Sequence, residues 1–350
     1  MRYDQDALRG RASVTLREHR LGKDTFFGPY ALQSRLHKGA MAEVFRAVDT
    51  RSDRACALKR ILPSVAEEED FLRELQDEAA VASALDHPNI AAVLDFGAIE
   101  GTYFIAYELV DGVDLRFVLE NASLTGEPLS LPFLLHVFTR VADALGHAHA
   151  HDVVHRDVSP HNIVLSRSGD VKVIDFGIAK AKGRLTRTGA GIIKGKLGYM
   201  SPEQVRGGSS DTPVDPRTDV FSLGICMWEL LTLKRLFTAP NEILVLDMVK
   251  RHVPEPPSTY RRSPEDGGRE LDRIVLKALA KNQDERYRSA RQLTKDLEDF
   301  AFLARISGAI ATREDIAQTI RRTFGERGTG SIMELQETRM SDDNKSGSDL

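Results

Sequence analysis

The sequence predicts an α+β protein with two lobes, a small strand-rich lobe followed by a larger helical one. The prediction rests on a change of hydrophobic periodicity near residue 110. Before it, short apolar or alternating runs are separated by turn residues, which is typical of a meander of strands. After it, apolar residues recur at helical spacing between loops rich in Gly, Pro and Asp. A chain of 350 residues is long enough to bury a core of its own.

Residues 28–110 form the expected small lobe. One segment, Glu67–Leu85, has apolar residues at helical spacing and acids crowded into its first turn, so we expect a helix there. The predicted strands are Tyr30–Leu36, Glu43–Val48, Ala55–Leu62, Ile90–Phe96 and Tyr103–Val110. The small lobe is therefore expected to be a sheet with a single helix.

Residues 111–303 form the expected large lobe. Its predicted helices are Leu131–His151, Thr218–Leu233, Asn241–Arg251, Leu271–Leu279 and Ser289–Ala304. Residues 304–327 are expected to form a helical extension with Thr312 as the N-cap of its helix. We expect residues 1–27 to be a flexible arm and residues 328–350, dominated by small, polar and acidic residues, to be a disordered tail.

Composition and charge exclude several classes of protein. The 48 basic and 52 acidic residues leave a net charge of −4, too balanced for a dedicated binder of nucleic acid or of membrane surfaces. The most apolar stretch, Val220–Leu233, includes Glu229 and is shorter than the roughly 20 residues of a membrane span. No signal peptide is recognisable, and Cys56 and Cys226 stand alone. We therefore expect a soluble cytoplasmic protein without a membrane span, a disulfide framework or a zinc site.

The strongest chemical signal is a pair of acids in the large lobe. Asp157 lies in residues 155–162, and Asp175 begins an Asp-Phe-Gly run further along the chain. We expect both acids at the ends of short strands that are joined by a hairpin, pointing into one cleft. Two acids and the amide of Asn162 suit Mg²⁺, which prefers oxygen ligands. A carboxylate that orients a hydroxyl nucleophile is what phosphoryl transfer to a protein needs.

At these positions the sequence resembles the protein kinase family, whose H-R-D-x-x-x-x-N and D-F-G signatures it matches. The variants at residues 41–44 and 158–160 are similar to those of bacterial members of the eukaryotic-like (Hanks-type) serine/threonine kinases. The resemblance covers residues 28–303 and implies a bilobed protein kinase-like fold that uses ATP and Mg²⁺ on protein substrates. It implies that Asp157 is the catalytic base and that Asn162 and Asp175 hold Mg²⁺.

The small lobe contains the lysine that the resemblance implies. Residues 55–59 resemble the family's V-A-I-K strand, so that Lys59 would reach the α- and β-phosphates and be positioned by a glutamate on the lone helix. Glu74 and Glu78 lie one turn apart on the same helix face. Counting back from the turn at residues 87–90, which resembles the family's, favours Glu78. Glu74 is interpreted as a solvated or secondary ion-pair residue.

The phosphate-covering loop is the weakest match. Residues 36–44 align with G-x-G-x-x-G-x-V, but His37 and Ala42 replace the first and third glycines. Gly39 stays where the backbone would come closest to the phosphates. We interpret His37 as a turn residue in preference to a nucleotide ligand.

The resemblance also implies an adenine slot between the lobes. The backbone of Glu108 and Val110 would pair with the adenine edge, Asp114 could take a ribose hydroxyl, and Tyr107 would limit the depth of the slot. The apolar walls would be Leu36, Val44, Ala57, Val164 and Ile174.

Two positions depart from the usual serine/threonine kinase pattern. Ser159 stands where these kinases carry Lys, and Lys196 stands where they carry the Thr of G-T-x-x-Y. Our hypothesis is an exchange, in which Lys196 acts catalytically by returning a positive charge to the transferring phosphate from the opposite wall, and Ser159 leaves room for it. Independent drift, with Lys196 pointing to solvent, is the alternative.

The activation segment, residues 177–201, carries six basic residues and no acid, with Thr186 and Thr188 in its middle. A phosphate on either threonine would pair with Arg156 and order the segment. A solvated basic loop that never needs phosphate is the alternative. The resemblance further implies that Glu203 pairs with Arg286.

The predicted function is ATP-dependent transfer of the γ-phosphoryl group to serine or threonine hydroxyls of proteins, with autophosphorylation of the activation segment. The resemblance also implies that Asp219 anchors the backbone of the catalytic loop, residues 155–162. The alternatives are a pseudokinase that acts as a nucleotide-binding scaffold and a small-molecule phosphotransferase on the same fold. Tyrosine is not strictly excluded as the acceptor, and the sequence does not define an oligomeric state.

Overall fold

A computed structural model describes residues 25–39, 42–62, 79–176, 196–209, 212–261, 268–303 and 311–324. In the described part of the small lobe, an antiparallel sheet has the spatial strand order 1-2-3-4-6-5. Its strands are β1 (Phe26–Phe27), β2 (Tyr30–Lys38), β3 (Ala42–Asp49), β4 (Arg54–Ile61), β5 (Val93–Ile99) and β6 (Thr102–Glu108). The predicted strand-rich lobe is confirmed.

The two faces of this sheet carry different residues, because directly opposite residues of an antiparallel pair point to the same face. Phe45 pairs with Leu58, and both belong to a buried cluster with Tyr30. On the other face, Val44 pairs with Lys59. We call this second surface the cleft face.

The large lobe is built from helices around one small sheet. That sheet contains β7 (Gly112–Asp114), β8 (Ile163–Ser166) and β9 (Val171–Val173) in antiparallel order. The helices are α1 (Leu115–Thr125), α2 (Leu131–His149), α3 (Pro202–Val205), α4 (Arg217–Thr232), α5 (Glu242–Arg251), α6 (Gly268–Ala278), α7 (Ala290–Leu303) and α8 (Arg313–Phe324). Helices α2 and α4 both contribute fully buried residues to the core, such as Val137 and Phe221.

Helix α1 is an element that the periodicity did not predict. Its N-cap is Asp114, whose carboxylate accepts a hydrogen bond from the backbone N–H of Phe117 at 2.8 Å. Gly126 ends the helix in the left-handed region, with φ of 70°. Both are ordinary helix-boundary residues, so Asp114 has a structural role in addition to the ribose contact expected from the resemblance.

The predicted small-lobe helix lies largely outside the described residues, but residues 79–83 are helical. Ala79 and Ala82 pack in one cluster with Tyr107. The following segment joins the lobes, since the Nδ2 of Asn89 donates to the carbonyl oxygen of Val171 at 2.8 Å. Residues 1–24 of the predicted arm and the whole predicted tail lie outside the described ranges. Within those ranges, no helix combines the length and the apolar character that crossing a membrane requires.

Candidate active site

One buried carboxylate holds the predicted catalytic loop, residues 155–162. Asp219, at the start of α4, accepts hydrogen bonds from the backbone N–H groups of His155 and Arg156, each at 2.8 Å. The Nε2 of His149 lies 2.8 Å from the same carboxylate. Arg156 has φ of 61°, a conformation that costs energy in a residue other than glycine, and these bonds hold it there. The predicted anchoring role of Asp219 is confirmed.

His155 links the loop of Asp157 to the strand that leads to Asp175. Its Nδ1 accepts a hydrogen bond from the backbone N–H of Asp157 at 3.2 Å. Its Nε2 lies 3.1 Å from the carbonyl oxygen of Ile174. Because one ring nitrogen accepts and the other must donate, these bonds select the tautomer with the proton on Nε2.

The expectation that both acids stand at strand ends is correct for Asp175, which closely follows β9, and wrong for Asp157. Asp157 lies in a loop, and a 3₁₀ turn over Pro160–Asn162 separates it from β8. This turn brings Asn162 back to Asp157, so that its Nδ2 donates to the Asp157 carbonyl oxygen at 2.8 Å and to Oδ2 at 3.2 Å. The backbone therefore places the amide beside the acid without a strand.

The oxygen atoms that remain in this cluster suit a hard cation. In the described part of the chain, Oδ1 of Asn162 and Oδ2 of Asp175 have no hydrogen-bond partner. Over the same ranges no group of three or more His, Cys, Asp or Glu residues could hold a metal. Mg²⁺ at nucleotide sites takes one or two carboxylates and completes its shell with phosphate oxygens and water. The donor set fits an ion that a nucleotide completes.

Lys59 connects the two lobes. On β4 it lies opposite Val44 and Ile105, and its Nζ forms an ion pair with Oδ1 of Asp175. Burial alone would raise the pKa of Asp175, but the neighbouring Lys59 charge outweighs burial and the pKa is lowered. The predicted partner Glu78 and its rival Glu74 both lie outside the described residues.

Lys196 points to Asp157 and not away from the cleft. Its Nζ lies 2.9 Å from Oδ2 of Asp157, with 41% of the Lys196 side chain exposed. Burial would lower the pKa of Lys196, but the Asp157 charge and hydrogen bond outweigh it, and the pKa is raised. Ser159 is fully buried, and its hydroxyl has no hydrogen-bond partner among the described residues.

The residues predicted for the adenine slot lie on the cleft face and in β8. Val44 and Ala57 share that face on β3 and β4, and Val164 is buried on β8. Leu36 is buried at an irregularity of β2. Ile174 is half-buried beyond β9.

Glu108 ends β6 and its side chain joins the lobes. Its Oε2 lies 2.9 Å from Nζ of Lys172 and accepts a hydrogen bond from the backbone N–H of Ala92 at 3.2 Å. Val110 lies in the irregular segment between β6 and β7. These side-chain contacts hold the connection between the lobes in place.

His37 lies on a strand, so its interpretation as a turn residue is wrong. Strand β2 continues to Lys38, and His37 pairs with Val44 on the cleft face. Gly39 follows β2, and its N–H donates to the carbonyl oxygen of Ala42 at 2.9 Å. The hairpin pairing continues through Lys38 and Glu43, which leaves His37 within the sheet.

A buried ion pair supports the large lobe. Arg286 donates from Nη1 and Nη2 to the two carboxylate oxygens of Glu203 at 2.7 and 2.9 Å, with both side chains buried. Next to Glu203, Nε2 of Gln204 donates to the carbonyl oxygen of Arg156 at 2.8 Å. The predicted pairing is confirmed, and it lies one residue from a contact to the catalytic loop.

A cavity of about 410 Å³ lies elsewhere in the large lobe, between α2, the β8–β9 turn and the start of α8. Its lining includes His136, Arg140 and Arg313, and none of the acids or lysines of the cleft. We assign the active site to the cleft because its groups, unlike those of the cavity, match a known chemistry.

The chain matches the protein kinase domain over residues 30–297. It is 39% identical over 285 residues to the tyrosine-protein kinase MasK of Myxococcus xanthus, which covers 78% of this chain and 43% of that protein. It is 39% identical over 276 residues to the serine/threonine-protein kinase PknB of Mycolicibacterium smegmatis, covering 77% and 42% of the two chains. The serine/threonine-protein kinase PrkC of Bacillus subtilis is 35% identical over 271 residues, covering 77% and 40%. The chain thus spans about two fifths of the length of these relatives.

The solved kinase domain of Mycobacterium tuberculosis PknI superposes with a TM-score of 0.61 and 29% identity. The match covers 80% of this chain and 100% of that one. The two lobes, the residues of the catalytic loop and these similarities agree with one another. The chain belongs to the protein kinase family, and serine/threonine kinases of bacteria are among its relatives.

Proposed function

We propose that this chain is an ATP-dependent protein kinase that transfers the γ-phosphoryl group to serine or threonine hydroxyls of protein substrates. The observation that carries the proposal is the convergence of Lys59, Lys196, Asp157, Asn162 and Asp175 in one cleft. PknB and PrkC are named serine/threonine kinases, which supports this acceptor class. MasK is named a tyrosine kinase, so the acceptor is itself part of the test.

The large-lobe residues supply the chemistry of transfer. The Asp157 carboxylate orients the substrate hydroxyl in line with the γ-phosphate and accepts its proton, while the new oxygen–phosphorus bond forms and the bond to the departing ADP breaks. Asn162 and Asp175 would hold Mg²⁺, which would supply positive charge to the phosphates. Lys59 binds the α- and β-phosphates and gives up part of its contact with Asp175 when they arrive. The predicted partner of Lys59, Glu78, lies outside the described residues and would complete this set.

The nucleotide base occupies the slot between the lobes. The backbone of Glu108 and Val110 pairs with the adenine edge, at the end of β6, and Asp114 reaches the ribose. Gly39 lets the backbone approach the phosphates because it carries no side chain. The apolar faces of the base are covered by Leu36, Val44, Ala57 and Val164.

Lys196 is the catalytic cation in this proposal. Its ammonium lies within salt-bridge distance of Asp157, where a γ-phosphate and a substrate hydroxyl must also meet. A fixed positive charge at that place stabilises the negative charge of the transferring group. Ser159 supports the exchange, since a small buried side chain occupies the position from which other kinases extend a lysine.

We also propose autophosphorylation at Thr186 or Thr188, which lie outside the described residues, and a cytoplasmic location. The location is supported by Cys56 and Cys226, which are buried and unpaired as in proteins of a reducing compartment. A pseudokinase remains the second candidate, because two glycines of the phosphate loop are replaced.

Phosphosite mapping tests the function. The wild-type chain and the Asp175→Ala variant are incubated with Mg²⁺-ATP and a peptide library, and modified residues are identified by mass spectrometry. We expect phosphoserine or phosphothreonine with the wild type and none with the variant. Phosphotyrosine alone would overturn the acceptor class, and nucleotide binding without any transfer would favour the pseudokinase.

A further inference from the structure

His37 is a cleft residue to which the proposed reaction assigns no role. It pairs with Val44 of β3, and Val44 pairs with Lys59 of β4. Directly opposite residues share a face, with Cβ atoms about 4.5–5.5 Å apart. His37, Val44 and Lys59 therefore form a row across three strands on the cleft face.

The surroundings of His37 are the charged groups of the active site. Lys196, Asp175, His161 and Lys59 all act on it electrostatically. The small lobe forms the upper wall of the cleft and the large lobe its lower wall. Lys59, on β4, belongs to the upper wall, and Asp175, which follows β9, belongs to the lower wall. The imidazole thus faces the space in which the phosphates must lie.

Gly39 leaves room for the ring. A Cβ atom at position 39 would lie 3.3 Å from Nε2 of His37, which is closer than an ordinary van der Waals contact. The ring therefore lies beside the backbone of Gly39, inside the phosphate-covering loop. Within the described residues the His37 side chain has no hydrogen-bond partner.

The register separates the phosphate end of the cleft from the adenine end. Lys59 pairs with Ile105, whereas Glu108 at the adenine end pairs with Cys56. His37 is level with Lys59 along the sheet and is therefore displaced from the adenine edge. The His37 side chain is open to the cleft; desolvation by the surrounding protein and the neighbouring Lys196 lower its pKa, but a neutral imidazole still carries one N–H donor.

We propose that the His37 side chain binds the phosphate chain of the nucleotide as an N–H donor from the upper wall, level with Lys59. At this position the family pattern has glycine, which offers only its backbone, so the contact belongs to this chain's own sequence. It restores a phosphate contact in a loop that has lost two glycines. The inference rests on the proposed function, because it requires a nucleotide in this cleft.

Nucleotide affinities of matched variants test the inference. Isothermal titration calorimetry measures Kd for adenosine, ADP and ATP with the wild type, His37→Ala, His37→Gln and Arg54→Ala. Arg54 is the control because it is exposed, begins β4 and lies five residues before Lys59, which places it on the opposite face of the sheet. Thermal unfolding of each variant is measured alongside, and equal melting temperatures separate a lost contact from a damaged sheet.

We expect His37→Ala to weaken ATP binding about tenfold, the loss of one hydrogen bond to a charged group, and to leave adenosine binding unchanged. His37→Gln keeps an N–H donor and should recover part of the ATP affinity, and Arg54→Ala should bind like the wild type. Equal losses for adenosine and ATP, or no loss for either, would overturn the inference. A wild-type chain that binds no nucleotide at all would overturn the proposed function first.

Discussion

The Nζ atom of Lys196 lies 2.9 Å from Oδ2 of Asp157, while Ser159, two positions after Asp157, is fully buried. The positive charge beside the predicted catalytic base therefore comes from the segment that precedes α3 and not from the catalytic loop itself. The ion pair joins two segments of the large lobe, so that a phosphate arriving beside Asp157 would meet a cation already held in place.

Replacement of Lys196 should slow turnover more than it weakens nucleotide binding. Lys196→Ala removes a cation that acts on the transferring phosphate, so we expect kcat to fall on the order of 10²-fold with little change in the KM for ATP. Steady-state kinetics with a fixed peptide substrate measure both constants. Lys196→Arg, which keeps the charge, is the matched control, and an unchanged kcat in Lys196→Ala would contradict the assignment.

The exchange between positions 159 and 196 can be reversed by mutation. The double variant Ser159→Lys, Lys196→Thr moves the lysine back to the catalytic loop and vacates the space that Lys196 fills. We expect this double variant to be more active than Lys196→Thr alone, because the two positions share one role and their effects do not add. A double variant as inactive as the sum of the two single losses would show that the positions drift independently.

Asp219→Asn should impair catalysis indirectly, because it weakens the hydrogen bonds that position the catalytic loop. The carboxylate accepts hydrogen bonds from His155 and Arg156, and an amide can present only one oxygen to its several donors. We expect a loss of about 1–3 kcal/mol in the free energy of unfolding and a lower kcat with ATP affinity retained. Urea denaturation and calorimetry measure these quantities. The exposed Asp299→Asn variant serves as control, and a normal kcat in Asp219→Asn would contradict the anchoring role.

Breaking the buried Glu203–Arg286 pair should lower the free energy of unfolding more than breaking an exposed ion pair of the large lobe. Arg286→Met leaves a buried carboxylate without its cation, which costs roughly 3–5 kcal/mol. Lys295→Ala breaks the exposed pair with Asp299 and should cost at most about 1 kcal/mol. Urea denaturation compares the two variants, and similar losses would contradict the role of burial.

Lowering the pH should weaken the Glu203–Arg286 pair, because protonation removes the negative charge of Glu203. Burial alone would raise the pKa of Glu203, but Arg286 outweighs burial and lowers it below the ordinary value of 4.5. The unfolded chain then binds protons more readily than the folded one, so that stability falls as the pH drops from about 4.5 through the lowered pKa. Relative to wild type, Glu203→Gln should lose less stability over this range; an identical pH dependence would contradict the coupling.

Much of the site could be predicted from the sequence because its residues stand in short motifs with fixed spacing. Asp157, Asn162 and Asp175 converge as expected, and Arg286 meets Glu203. What motifs do not contain is local backbone geometry. The 3₁₀ turn over Pro160–Asn162 places the amide beside Asp157 without the predicted strand end.

The position of His37 shows that a motif alignment does not determine strand register. Alignment with a glycine pattern suggests a turn, whereas pairing with Val44 keeps the residue in β2 and directs it to the cleft face. Asp114 shows a second limit, since one residue can suit both a nucleotide contact and a helix N-cap. The cap and Gly126 were the available signals for α1.

Measuring phosphoryl transfer by the Asp157→Asn variant tests most directly whether the cleft is catalytic. Turnover with Mg²⁺-ATP and the affinity for ATP are measured on the same preparation, beside the wild type. If Asp157 is the catalytic base, the variant binds ATP with wild-type affinity and loses phosphate transfer to protein hydroxyls. Transfer by the variant at the wild-type rate, or nucleotide binding by both proteins without any transfer, would contradict the proposed kinase.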